Sequence, residues 1–142
     1  MSVPDMQPTQ ERIGAHFSRL DRLRLSRDFQ NVFSAKRSLA GRLMVVWFGP
    51  PADRLRMGVV ASKRTFRRAV DRNRAKRLLR EAFRLERHRI HEKCDLVIIA
   101  RRKILGAKCG DVRRELLYLL AKASRHRDGG PQGNKRQVEP MR

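Results

Sequence analysis

Acidic residues are scarce in this sequence. Its 142 residues include 14 Asp and Glu against 35 Lys and Arg, which gives a formal net charge of +21 and a pI near 11.7. This imbalance favours steady association with a polyanion, either a nucleic acid or an anionic membrane surface. It also disfavours two-metal phosphoryl chemistry, which needs clustered carboxylates, because the few acids are scattered among basic residues.

Long apolar runs are missing as well. Runs such as residues 43–48 and 96–100 are far too short to cross a bilayer. Residues 1–14 lack the basic start and the apolar stretch of a secretion signal. We therefore expect a cytoplasmic protein with no membrane partner.

Cysteine is rare, with Cys94 and Cys109 the only two. In a cytosolic protein such a pair is expected to be reduced. His88, His91 and Cys94 form an H-x2-H-x2-C string, but structural zinc sites use four ligands in two halves, and Cys109 is the only spare one. We predict no metal site on the protein.

Regular apolar periodicity is absent from the two ends of the chain. Residues 1–17 and 125–142 are polar and contain most of the prolines, so both are predicted to be disordered arms, the second of them basic. Residues 18–124 are then expected to form a single RNA-binding α/β domain.

The most informative stretch is residues 62–89, a basic loop that leads into a basic helix. It contains twelve Lys or Arg against Asp71, Glu81 and Glu86. Like charges three or four residues apart are neighbours on a helix and cost about 0.2–0.5 kcal/mol per pair. A segment that opposes its own stability in this way is best explained by a polyanion that neutralises it.

The same helix has an apolar stripe at three- and four-residue spacing, which predicts a face packed on a core. The stripe consists of Ala75, Leu78, Leu79, Ala82 and Leu85, with Phe83 at its margin. The opposite side is basic. It presents Asn73, Lys76, Arg77, Arg80 and Arg84, flanked by Arg72 and Arg74.

Before the basic helix, the sequence predicts one helix and two or three strands. Ser26 is the expected N-cap of a helix that ends near Ala35. The β-rich runs at 43–48 and 55–61 are separated by a polar turn and predict an antiparallel hairpin, with 38–41 as a short edge strand.

After the basic helix, residues 95–100 are typical of a strand buried on both faces. The helix between the runs at 55–61 and 95–100 predicts that they are parallel neighbours. A last helix is expected to begin at Gly110 or Asp111. The result is a small α/β sandwich of order αβββαβα.

Aromatic residues make up only 6% of the chain. Phe29 and Phe33 share one face of the first helix, where core packing is favoured over contact. Trp47 is balanced between core and an exposed stacking surface. Because no duplex-DNA motif and no RNP signature occur, aromatics beside basic residues favour single-stranded RNA.

Three segments resemble the protein subunit of bacterial ribonuclease P. They are residues 25–33 (LSRDFQNVF), 62–64 (SKR) and 72–84 (RNRAKRLLREAFR). The last contains the specific RNR helix motif, and it follows a strand as the family requires. The likeness spans about residues 20–123, and its Arg67–Arg68 loop is similar to the proteobacterial form.

The resemblance implies an α+β fold with a four-stranded sheet, three helices and a left-handed strand–helix–strand crossover. It also implies a monomer in a one-to-one ribonucleoprotein with ribonuclease P RNA, which removes the 5′ leader from precursor tRNA. In that family the RNA is the catalyst and uses Mg2+, so no catalytic residue is expected on the protein.

The resemblance assigns two sets of contacts by position. The residues expected to face the catalytic RNA are Arg67, Arg68, Arg72, Asn73, Arg74, Lys76, Arg77 and Arg80. The residues expected at the cleft for the single-stranded leader are Phe29, Phe33, Trp47, Lys63 and Arg64. Trp47 stands where the family often has a smaller aromatic.

Three other classes of protein stay open. A nucleic-acid-compacting protein would bind any duplex, with a log-log salt slope near about −0.9 per phosphate neutralised. A ribosomal protein with a similar small fold would copurify with a ribosomal subunit. A stand-alone nuclease is disfavoured, because His16 and His126 lie in the predicted arms.

Overall fold

The computed structural model describes residues 22–23 and 25–129. Within that range the helices are α1 Ser26–Ser34, α2 Ala69–Glu86 and α3 Cys109–Gly129, and the strands are β1 Ser38–Ala40, β2 Met44–Pro51, β3 Arg56–Val60 and β4 Cys94–Ala100. Short 3-10 helices occupy Arg87–Arg89 and Arg102–Gly106. The α+β fold and the order αβββαβα are confirmed.

The four strands form one sheet in the order β1-β2-β4-β3. Strand β4 runs antiparallel to β2, with Trp47 opposite Val97, and parallel to β3, with Gly58 opposite Val97. The predicted edge strand and the predicted parallel pair are therefore confirmed. The left hand of the crossover through α2 stays a prediction.

The predicted hairpin between residues 43–48 and 55–61 is wrong. Strand β4 lies between β2 and β3 and pairs with both of them. The physical reason is the composition of β4, which is apolar on both faces and gains most from a central position with both edges paired. The polar turn after β2 therefore connects two strands that are not neighbours.

Helices α2 and α3 cover one side of the sheet, which we call the closed face. Phe83 and Leu79 of α2 and Leu116 of α3 are fully buried against Val46 and Ile98 of the sheet. Phe83, predicted at the margin of the stripe, lies inside the core because α3 also packs on α2 and widens its buried arc. Leu78 and Leu85 are only half-buried.

An ion pair joins the two helices of the closed face. Glu86 is 2% exposed, and Arg113 Nε of α3 donates to its Oε2 at 2.5 Å. Arg89 Nε lies 3.6 Å from the other carboxylate oxygen. Burying a carboxylate is costly unless it is paired, so this contact fixes where α3 lies on α2.

Among the described residues, helix α1 and the side chain of Leu23 cover the other side, which we call the open face. Val32 is fully buried and meets β2 at Gly49, where a Cβ would lie 3.1 Å from Val32 Cγ2. Phe29 meets β3 at Gly58, where a Cβ would lie 2.6 Å from its Cζ. Two glycines in the strands thus allow α1 to approach the sheet closely.

A guanidinium holds the same helix electrostatically. Arg56 of β3 donates to both carboxylate oxygens of Asp95 on β4, at 2.9 and 2.7 Å. Its Nη2 also lies 3.8 Å from Asp28 Oδ1 of α1. Arg56 therefore ties α1 to the ends of two parallel strands where those strands begin.

Several predicted boundaries are wrong by a few residues. Leu25 occupies the N-cap of α1 in an extended conformation, so Ser26 is already helical and caps nothing. Strand β2 continues to Pro51, because a register shift beyond Phe48 lets Pro51 pair with Cys94. Proline is tolerated where strand pairing is irregular, as it is in β2 beyond Phe48.

Helix α3 is longer at both ends than the sequence indicated. It begins at Cys109, where the carboxylate of Asp111 accepts a hydrogen bond from the Lys108 backbone N–H at 3.0 Å, as in a capping box. It ends at Gly129, so residues 125–129 are helical rather than part of a tail. Basic residues suit a helix C-terminus, where the dipole is negative. The predicted arm 1–17 lies outside the described residues.

Candidate nucleic-acid interface

The outer side of α2 forms a basic groove of about 420 Å³. Its lining consists of Arg22, Asn73, Arg77, Arg80, Glu81 and Arg84. Three of the residues predicted to face RNA therefore meet at one place. We call this site the α2 groove.

Arg22 is the member that comes from outside α2, and the sequence did not assign it to any site. It forms a parallel β-bridge with Met57, and the next residue, Leu23, donates its N–H to the Met57 carbonyl at 3.1 Å. This segment therefore lies along the outer edge of β3. The only sequence signal was its alternation of arginine and leucine, which does not reveal a partner helix about 50 residues later.

Arg80 lies in an unfavourable environment for a cation. Burial lowers the pKa of its guanidinium, and the positive charge of Arg22 lowers that pKa further. Both effects mean that the charged form is poorly solvated and repelled by its neighbour. An anion bound in the α2 groove would relieve both.

Glu81 and Arg84 partly neutralise each other at the rim of the α2 groove. Arg84 Nη2 donates to Glu81 Oε2 at 2.6 Å, and this hydrogen bond lowers the pKa of Glu81 while it raises the pKa of Arg84. The positive charge that can attract an anion in the groove therefore comes mainly from Arg77 and Arg80.

Arg72 has a structural task in this fold. Its Nη1 donates to the carbonyls of Phe66 and Arg67, at 3.0 and 3.1 Å, and so holds the segment before α2 against the helix. The predicted contact of Arg72 with RNA stays a prediction. Arg74 is exposed and Lys76 half-buried, and neither lines the α2 groove. Exposed Arg67 and Arg68 lie in the preceding segment.

The open face leaves a strip of half-buried apolar side chains beside α1. These are Phe29, Phe33, Val60 and Ile99, which we call the open strip. They pack on fully buried neighbours that include Val45 and Val97. Both predicted phenylalanines are therefore part core and part surface.

Trp47 lies underneath the open strip. It is 4% exposed, and the Phe33 ring meets it edge-on with centroids 5.2 Å apart and planes at 85°. It therefore offers no stacking face of its own and supports Phe33 instead. Its indole N–H is buried and makes no hydrogen bond.

Lys63 and Arg64 extend from a turn just past the end of β3. Thr65 N–H donates to Ser62 Oγ at 3.1 Å, and Phe66, fully buried, donates its N–H to the Ser62 carbonyl at 2.9 Å. The turn is thus held at both ends. Its two exposed cations lie a few residues beyond Val60, the last strand residue of the open strip.

Three acidic side chains near these sites are bound to arginines. Asp95 binds Arg56, Glu81 binds Arg84 and Glu86 binds Arg113. Among residues 22–23 and 25–129, no cluster of three His, Cys, Asp or Glu could hold a metal ion. The described residues therefore bring together no carboxylate set of the kind that binds Mg2+. Cys94 is buried and Cys109 half-buried, and no disulfide joins them.

Fold and site together define a small α+β protein with a basic helical groove on one side of its sheet and an open aromatic strip on the other. The family model described as Ribonuclease P matches residues 17–124. The chain belongs to the ribonuclease P protein family, as the RNR helix indicated.

Similar proteins agree over most of their lengths. The ribonuclease P protein component of Pelotomaculum thermopropionicum is 39% identical over 109 residues, which cover 76% of this chain and 96% of that protein. The component from Chromohalobacter salexigens is 41% identical over 102 residues, or 70% of this chain and 79% of the relative. The proteobacterial subtype stays a prediction.

Solved structures of this family share the fold. The ribonuclease P protein from Thermotoga maritima has a TM-score of 0.63 at 36% identity, over 71% of this chain and 96% of that one. The Staphylococcus aureus protein has a TM-score of 0.63 at 30% identity, over 72% and 94%. No helix among residues 25–129 is long and apolar enough to cross a membrane.

Proposed function

We propose that this chain is the protein subunit that binds ribonuclease P RNA through the α2 groove and the single-stranded 5′ leader of precursor tRNA along the open strip. It promotes endonucleolytic removal of the leader, to give the mature 5′ end of the tRNA. It acts in the cytoplasm as one copy per RNA.

The observation that carries this proposal is the separation of two surfaces of different chemistry. The α2 groove gathers cations with little to stack on, which suits phosphates of a folded RNA. The open strip offers aromatic and apolar side chains with Lys63 and Arg64 at one end, which suits unpaired bases and their backbone. A single chain can thus contact a structured RNA and a flexible strand at once.

Catalysis is assigned to the RNA subunit, with its Mg2+. The carboxylates near both surfaces are paired with arginines, and the protein's task is then to position the substrate and to neutralise phosphates. A protein that supplies positive charge lowers the concentration of Mg2+ that the RNA needs for folding and substrate binding. Its effect should therefore be largest at low Mg2+.

The test is cleavage of precursor tRNA by a bacterial ribonuclease P RNA at low Mg2+, with and without this protein. We expect strong stimulation by the protein and no cleavage by the protein alone. Absence of stimulation by a folded sample across matched RNAs would favour the compacting class of protein instead.

A charge-removal variant tests the α2 groove in the same system. Arg77→Ala combined with Arg80→Ala should weaken binding to the RNA subunit and reduce the log-log salt slope by about 0.9 for each phosphate that the variant no longer neutralises. Arg27→Ala combined with Arg125→Ala, at two exposed positions outside the groove, is the control that removes the same number of positive charges. If the two proteins bind the RNA equally weakly, the α2 groove is not the RNA-subunit site.

A further inference from the structure

A second groove lies apart from the α2 groove and the open strip. It is enclosed by the β1–β2 turn, the 3-10 helix Arg102–Gly106 and the first turns of α3, and its volume is about 800 Å³. Its lining includes Arg42, Arg102, Lys103, Arg114 and Tyr118. It shares no residue with the α2 groove.

The two carboxylates in this groove are already satisfied. Glu115 accepts hydrogen bonds from the backbone N–H groups of residues 42, 43 and 44, at 3.2, 2.8 and 3.1 Å. Asp111 accepts from Arg114 Nη2 at 2.5 Å and from the Lys108 N–H at 3.0 Å. The positive charge of Arg42, Arg102 and Lys103 therefore dominates, and all three are exposed.

Tyr118 gives the groove a flat surface. It is the only tyrosine of the chain, and 58% of it is exposed. Lys122 Nζ lies 6.0 Å from the centre of its ring, so a cation already stands beside this aromatic group. Aromatic residues are few in this chain, so a large exposed one is notable. An exposed aromatic ring beside cations suits stacking with a nucleobase.

We propose that this groove is a second binding site for single-stranded RNA, beyond the two surfaces of the proposed function. Phosphates contact Arg42, Arg102 and Lys103, and one base stacks on Tyr118. In a duplex the faces of the bases are stacked on one another and cannot stack on Tyr118, and an acidic peptide has no base to stack on the ring. The cations and the ring together therefore favour an unpaired strand.

Substitutions at Gly106 test the second groove without disturbing the fold. A Cβ at this position would meet nothing within 4 Å, and the backbone φ lies outside the left-handed region, so other residues fit there. Gly106→Glu places an anion in the groove, Gly106→Gln adds the same bulk without charge, and Gly106→Lys adds a cation.

The experiment uses the full chain and a uridine octamer that carries 4-thiouridine, with photocrosslinks mapped to peptides by mass spectrometry. We expect one crosslink at the Tyr118 peptide and a separate one at the peptide of Phe29 and Phe33. Gly106→Glu should reduce the first at least about five-fold and leave the second unchanged, while Gly106→Gln should change neither. Gly106→Lys should raise the first.

Further variants test the stacking part of the inference. Tyr118→Ala should reduce the Tyr118-region crosslink and weaken octamer binding about five-fold or more, whereas Tyr118→Phe should keep the affinity, because stacking needs only the ring. Crosslinks at positions 113–125 that are unaffected by Gly106→Glu would overturn the proposal. Equal competition by a short RNA duplex or by polyglutamate would overturn it too, since either result would identify a general anion site.

The two sites fail in distinguishable ways. Absence of the Phe33 crosslink alone would contradict the leader site of the proposed function and leave the second groove intact. Absence of the Tyr118 crosslink alone would do the opposite.

Discussion

The two faces of the sheet consist of side chains from the same strands, but they are covered to different extents. Along β2 and β4, Val46 and Ile98 point to the closed face, and their neighbours Val45 and Ile99 point to the open face. Both sets are apolar. The closed face receives two helices and buries Phe83 completely, whereas α1 is the one helix on the open face within residues 25–129, and Ile99 stays half-buried.

The difference shows that strand composition does not determine which surface remains available. Apolar side chains that no helix among the described residues covers are a candidate binding surface. The apolar residues of the closed face contribute to stability, and its helices display their charges outward. The open face keeps an aromatic strip within reach of solvent. We therefore expect variants of the closed face to change stability, and variants of the open face to change binding.

The largest effect is expected for Phe83→Ala on the closed face. Removal of a fully buried phenylalanine from a packed core costs about 3–5 kcal/mol in the free energy of unfolding. Urea denaturation followed by circular dichroism measures it. Binding of leader-bearing substrate by the fraction that remains folded should be unchanged, and a specific decrease there would contradict the division between the faces.

Gly58→Ala tests how closely α1 must approach the open face. The new Cβ would lie 2.6 Å from Phe29 Cζ, so the ring has to move, at a cost of about 1–3 kcal/mol. Because Trp47 is the only tryptophan and lies under the open strip, its fluorescence should report the shift. Combining Gly58→Ala with Phe29→Ala should remove the clash, and a clash penalty that persists unchanged in the double variant would contradict this contact.

Sequence reasoning succeeded where a signal was local. The stripe of α2 identified its buried side, and the apolar character of β4 on both faces identified a buried strand. It failed where the partner is remote. The neighbour of β2 is β4 and not β3, because this arrangement pairs both edges of the apolar strand β4. The short polar turn between β2 and β3 had predicted a hairpin between those two strands instead.

The site shows the same limit. Asn73, Arg77 and Arg80 could be found because one helix presents them together, whereas Arg22 joins them from the edge of β3. Arg72 has the sequence pattern of an RNA contact, yet the carbonyls it binds are visible only in three dimensions. We therefore expect Arg72→Ala to destabilise the fold, whereas Arg74→Ala should leave it unaffected.

Phe33→Ala is the variant that most directly separates binding from stability. Phe33 is half-buried and meets Trp47 edge-on, so its removal should cost about 1–2 kcal/mol of stability, less than Phe83→Ala. If it contacts the leader, binding of precursor tRNA should weaken more than binding of mature tRNA. Phe33→Leu, which keeps apolar bulk without a ring, is the control. Equal decreases for both tRNAs would mean that Phe33 is only a core residue.

The smallest effect is expected for Glu81→Gln, and its two readouts should have opposite signs. The Glu81–Arg84 pair has side chains that are 44% and 39% exposed, so solvent screening limits it to about 0.3–0.5 kcal/mol. Because Arg84 lowers the pKa of Glu81, this contribution is present at neutral pH and is lost as acidification protonates the carboxylate. Stability curves of variant and parent should therefore converge at low pH.

Binding to the RNA subunit should change in the other direction. Glu81 lines the α2 groove, where its negative charge repels phosphates, and Glu81→Gln removes the carboxylate that partly neutralises Arg84. At a distance of about 8 Å in water, one like charge costs about 0.5 kcal/mol, so Glu81→Gln should bind the RNA about two-fold tighter at low salt. The gain should vanish at high ionic strength. Weaker binding at low salt would show instead that the Glu81–Arg84 pair positions the RNA, and that recognition depends on this contact more than on the net charge of the α2 groove.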